Sequence, residues 1–71
     1  MENIDTVAGV VEKLGGNQAT MNLFGVAAST VSNWKKRGSF PGTIDFFTKM
    51  NGEASAKGFA VARSLFGKRA A

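Results

Sequence analysis

The stretch from Asn17 to Arg37, NQATMNLFGVAASTVSNWKKR, constrains the fold more than any other part of this chain. It reads as two short helices joined through Leu23-Phe24-Gly25-Val26, the second ending in three consecutive cations. A tight helix-to-helix turn needs a residue that reaches positive φ without a Cβ clash, and Gly25 does so at least cost. Upstream, Ala19 (or Thr20), Leu23 and Phe24 recur at three- and four-residue steps and give the first helix one apolar face, with Asn17 placed to cap its start. Downstream, Val31 and Trp34 are three apart and face inward, so Trp34 is expected to anchor the core and not to stack on a ligand. Ser29, Thr30, Ser32 and Asn33 are small and polar and face outward. Lys35, Lys36 and Arg37 then favour the negative end of the helix dipole, and Gly38 fits the position just past the last turn.

Taken singly, each feature has an ordinary explanation. Gly25 would close any helical hairpin, and a three-residue cationic run is commonly a solvated helix end. In register, however, Leu23, Gly25, Val26, Val31 and Trp34 followed by cations describe the core of a helix-turn-helix. That motif lays its second helix in the DNA major groove.

The segment LFGVAASTVSNWKKRGSFP, Leu23 to Pro41, resembles the small phage Cro and CI-type repressor family, especially its compact Cro/YdaS-like members. Gly25-Val26, the run from Ser29 to Trp34, Gly38 and Phe40-Pro41 carry the likeness. The resemblance implies an all-α, five-helix, lambda-repressor-like domain and a dimeric, sequence-specific DNA-binding regulator, phage-related in type. It also implies that Ala28, Ser29, Ser32, Asn33 and Lys36 face the groove. Two features depart from the pattern. Many relatives carry Ser and Gln where this chain has Ala27 and Ala28, which removes a hydroxyl cap (unless Ser29 replaces it) and an amide able to pair with adenine. Met21 stands where alanine is common, at the close approach of the two helices.

Charge agrees with a polyanionic partner. The 71-residue chain carries a net charge of +4, and the charge is segregated. Residues 1–28 hold Glu2, Asp5 and Glu12 against Lys13, whereas residues 29–71 hold eight cations against Asp45 and Glu53. One positive side attracts and orients a polyanion. There is no cysteine and no histidine, hence no disulfide framework, no thiolate site, and none of the commonest general bases or zinc ligands. The five carboxylates are scattered, and Gly15-Gly16 lacks the Gly-Lys-Ser/Thr of a phosphate loop, so that pair reads as a helix stop. No enzyme, metal or cofactor is expected. No signal peptide or membrane-spanning run is apparent, so a cytoplasmic protein, nucleoid-associated when on DNA, is expected.

The remaining sequence supplies the frame, expected to form one domain over 1–67 with a basic tail at 68–71. Ile4, Val7, Ala8, Val11 and Leu14 predict a helix over 4–14 capped by Asn3, with Gly9 admitting a close neighbour. Thr43 caps a fourth helix over 44–51, with Ile44, Phe47 and Met50 inward, Phe46 beside them and Asn51-Gly52 ending it. A fifth helix is expected from Glu53 or Ala54 to Phe66, supported by a Glu53–Lys57 pair. Its Phe59, Val61 and Phe66 either complete the core or form a subunit contact. Lys68 and Arg69 fall in the tail.

These residues predict the following mechanism. Helix 3 enters the major groove; Ser29, Ser32 and Asn33 meet base edges, flanked by Ala28 and Thr30. Lys35, Lys36 and Arg37 meet the backbone, with guanine as an alternative for Lys36. Double-stranded DNA is the partner, read by a homodimer at half-sites about 34 Å apart. Repression by blocking polymerase is favoured, with activation through an RNA polymerase contact as the alternative. A different class of function remains open, a small helical adaptor or antitoxin acting through helix 5. A membrane-active cationic peptide fits less well, because the turn glycines suit a folded domain.

Overall fold

The computed structural model describes residues 2–67. The order of elements is β1 (Glu2–Ile4), α1 (Val7–Lys13), α2 (Asn17–Phe24), α3 (Ala28–Arg37), α4 (Ile44–Ala56), β2 (Phe59–Val61) and a 3₁₀ turn (Arg63–Leu65). The fold is thus mostly helical but not all-α. Four α-helices stand where five were expected, and a two-stranded parallel sheet joins the two ends of the described chain.

The first helix is shorter than its apolar spacing predicts. Thr6, not Asn3, caps it: the Thr6 hydroxyl accepts from the Gly9 N–H at 3.1 Å. Ile4 leaves the helix and pairs with Val61 in register, alongside Glu2 with Phe59 and Asn3 with Ala60. Parallel strands need a long crossover, and here α1 to α4 provide it. Gly9 does admit a close neighbour, but that neighbour is the preceding chain. A Cβ there would meet Thr6 Oγ1 at 2.7 Å and Ile4 Cγ2 at 2.9 Å. Gly15 and Gly16, at φ 112 and 100, turn the chain into α2 as expected.

The fourth helix begins as predicted, with the Thr43 hydroxyl accepting from the Phe46 N–H at 3.3 Å. It does not end at Asn51-Gly52. The Asn51 side-chain amide nitrogen, Nδ2, donates to the Phe47 carbonyl at 2.8 Å, and the helix continues to Ala56. Ile44 is not on its inner face; it is 71% exposed, while Met50 and Ala54 are buried.

The fifth helix is absent. Gly58, at φ 85, takes the chain out of α4 and into β2. Only residues 53–56 of the expected span are α-helical, and the sole ion pair among the described residues joins Lys13 to Glu2, so the Glu53–Lys57 pair is not made. Phe59 and Val61 are buried in the chain's own core, which leaves them no surface for a subunit contact; Phe66 is half-buried.

The core gathers Val7, Val10, Val11 and Leu14 from the first helix and its end, Val31 and Trp34 from α3, and Phe40, Met50, Ala54, Phe59, Val61 and Leu65. The loop after α3 is stitched to the C-terminal segment: the Phe40 N–H donates to the Leu65 carbonyl at 2.6 Å, and the Gly67 N–H donates to the Phe40 carbonyl at 2.7 Å. Those bonds hold the segment between α3 and α4 against the C-terminal end of the described chain.

Candidate nucleic-acid interface

Helices α2 and α3 are joined by Gly25 in the left-handed conformation, φ 64 and ψ 40. Its N–H and that of Val26 both donate to the Met21 carbonyl, which closes the last turn of α2. Gly38 does the same for α3 at φ 73 and ψ 22, donating to the Trp34 carbonyl at 2.8 Å. Both glycines therefore sit where an L side chain would strain the backbone.

Inside the motif, α2 contributes one fully buried residue, Thr20, whose hydroxyl donates to the Gly16 carbonyl at 2.9 Å. Of the two residues that fit the apolar spacing, Thr20 takes the innermost place; Ala19, Met21, Leu23 and Phe24 are half-buried, as is Val26. Val31 and Trp34 hold the inner side of α3 at 0% and 4% exposure. Trp34 is thus a core anchor. It lies edge-on to Phe24, Phe40 and Phe46 at ring separations of 6.2, 5.5 and 5.1 Å. Such aromatic pairs each add about 0.5–1.5 kcal/mol beyond burial. They tie α3 simultaneously to α2, to the following loop and to α4.

With that side fixed, the helical repeat of 100° per residue decides what faces out. Ser29, Ser32, Asn33 and Lys36 lie opposite Val31 and Trp34, and all four are exposed. Ala28 and Lys35 fall on the flank beside Ser32, Thr30 and Arg37 on the other; Thr30 is half-buried and the other three are exposed.

One contact was not legible from local sequence. Asn17 is the first residue of α2 and not its cap; Gly16 occupies that position with no side-chain bond. The Asn17 side-chain amide oxygen, Oδ1, instead accepts from the Lys35 ammonium at 2.7 Å. The pair borders an open cleft of about 480 Å³, lined by Thr6, Gly9, Glu12 and Gly16 as well. Lys35 is thus already partnered within the chain, whereas Lys36 and Arg37 make no ion pair among the described residues. The start of α3 is uncapped by any side chain: Ala27 stands at the cap, and Ser29 does not replace the missing hydroxyl.

Among the described residues no group of three or more potential metal ligands occurs, and no helix is long and apolar enough to cross a membrane. Lys68 and Arg69 lie outside the described residues.

A glycine-turned helix pair with a polar, cation-ended outer helix defines a helix-turn-helix DNA-binding domain. Residues 11–57, well over half the chain, match the bacteriophage CI repressor helix-turn-helix domain, and the chain belongs to that family. Members are DNA-binding regulators of transcription, which makes double-stranded DNA the partner class of this domain. Neither a curated protein nor a solved structure matches the chain.

Proposed function

We propose that this chain is a sequence-specific transcriptional repressor that inserts α3 into the major groove as a dimer. The observation that carries the reading is the division of α3 into a buried Val31–Trp34 side and an exposed Ser29, Ser32, Asn33 and Lys36 side. In this reading Asn33 supplies the most selective contact, because an amide pairs with adenine through two hydrogen bonds. Ser29 and Ser32 read either base partner, and the Ala28 methyl is suited to a thymine methyl. Lys36 and Arg37 contact phosphate, as does Thr30 from the flank. Lys35 adds positive charge while braced on Asn17. Residues 1–67 act as a single DNA-binding domain, and Lys68 and Arg69 in the tail add sequence-independent attraction.

Because hydroxyls discriminate bases poorly, one copy of α3 is a weak reader, which favours two copies on a two-fold site. Bound over a promoter, the dimer blocks polymerase. With Phe59 and Val61 in the core, the dimer surface lies elsewhere than on that pair.

Selection of bound duplexes from a randomised pool tests the proposal. The expected product is a palindrome with half-sites about 34 Å apart. Enrichment of no motif, with equal capture of every duplex, would overturn sequence-specific reading.

A further inference from the structure

We propose that Asn51 is a latent deamidation site, closed while α4 is helical and opened by local unfolding of that helix. Five asparagines occur in the chain, and Asn51 alone precedes glycine. That neighbour matters because deamidation begins with attack of the following backbone nitrogen on the side-chain carbon, and a side chain on the following residue crowds the approach. Gly52 has none, and nothing lies within 4 Å of where its Cβ would stand.

What closes it is conformation. Both residues lie well inside α4. The Asn51 amide nitrogen is held by its bond to the Phe47 carbonyl at 2.8 Å. In an α-helix each backbone N–H is directed at the carbonyl four residues back, for Gly52 that of Thr48, and so away from its neighbour's side chain. Reaction requires release of both. The Gly52 nitrogen then bonds to Asn51 Cγ, the Cγ–Nδ2 bond breaks, and ammonia leaves with the proton from the Gly52 nitrogen. Water adds to either carbonyl of the resulting succinimide and opens it to aspartate or isoaspartate.

The product does not fit back. Aspartate replaces a donor to the Phe47 carbonyl with a carboxylate that only accepts. Isoaspartate lengthens the backbone between Met50 and Ala54, which are 0% and 1% exposed, so both cannot keep their places in the core. A glycine inside a helix also weakens it locally. The Asn51-Gly52 pair thus converts transient openings of α4 into irreversible chemical damage to that helix.

The test follows modification at each asparagine by peptide mapping and isoaspartate detection, with the full chain in warm, mildly alkaline buffer, with and without unfolding urea. In urea, Asn51 should convert faster than the other four asparagines. Without urea it should convert at least about tenfold more slowly, because only opened molecules react. Met50→Ala should raise the native rate, reaching the urea rate if the variant does not fold. Gly52→Ala should suppress conversion in urea. Equal rates at Asn51 with and without urea, no preference for Asn51 in urea, or a folded Met50→Ala protein as slow as wild type would each overturn the proposal.

Discussion

Replacing glycine with alanine at two positions should have opposite effects, and the structure supplies the sign of each. At Gly25 the backbone is left-handed, φ 64 and ψ 40, and a Cβ would meet nothing within 4 Å. The whole penalty of Gly25→Ala is therefore conformational, about 1–2 kcal/mol for an L residue in that region. Alanine also reduces the freedom of the unfolded chain, which offsets about 0.4–1 kcal/mol. A net loss of about 1 kcal/mol lowers the melting midpoint of a domain this size by roughly 4–8 °C. Gly52 likewise has open space around it, but its φ is that of an ordinary helix. Gly52→Ala should therefore stabilise by about 1 kcal/mol and raise the midpoint by a similar amount. Gly25→Asn should fall between wild type and Gly25→Ala, since asparagine tolerates left-handed backbone better than alanine. Thermal melts followed by circular dichroism read all three. A Gly25→Ala midpoint at or above wild type would show that the turn between α2 and α3 is not the one described.

Further outcomes follow from the site and the core. Asn33→Ala should lose about 1–3 kcal/mol of discrimination at one base pair of a selected site; Lys36→Ala should weaken all duplexes alike and flatten the slope of log affinity against log salt by about 1. If instead the Asn33 variant weakened every duplex equally, it would not be reading a base. Phe59→Ala should cost about 3–5 kcal/mol and largely unfold the chain at every protein concentration; a stable folded monomer would return Phe59 to a subunit contact. Lys13 has its pKa raised above the ordinary 10.5, first by its hydrogen bond to Glu2 and then by the Glu2 charge. A raised lysine stabilises fully below that ordinary value and loses its effect as pH climbs through the higher native one. The small difference in urea midpoint between wild type and Glu2→Gln should accordingly vanish at strongly alkaline pH, and a difference that grew there would contradict the pairing.

The motif was legible because its determinants are local and periodic. Gly25 and Gly38 each follow a helix, and Val31 and Trp34 share a face by spacing alone. The strands were not, because three residues are too few to establish a period. Ile4 lies at a helical interval from Val7 and Ala8, so only the Thr6 cap marks where the helix starts. Residues 53–66 are also ambiguous: Phe59, Ala62 and Phe66 fit a helix. Gly58 followed by Phe59 and Val61, both buried in β2, was the signal for a turn and strand. Asn51-Gly52 resembles a helix end, yet burial of Met50 and Ala54 on either side of it carries α4 through. At the candidate interface the outward residues of α3 could be counted off the sequence. The Lys35–Asn17 bond and the aromatic cluster around Trp34 could not, since they depend on how separate elements meet.

The most direct test of groove reading by α3 is a backbone amide NMR titration of the full chain with a duplex carrying a selected site. The largest shifts should fall on Ser29, Ser32, Asn33 and Lys36, with Met50 and Ala54 barely moved. Shifts centred on α4 or β2, with α3 unaffected, would contradict it.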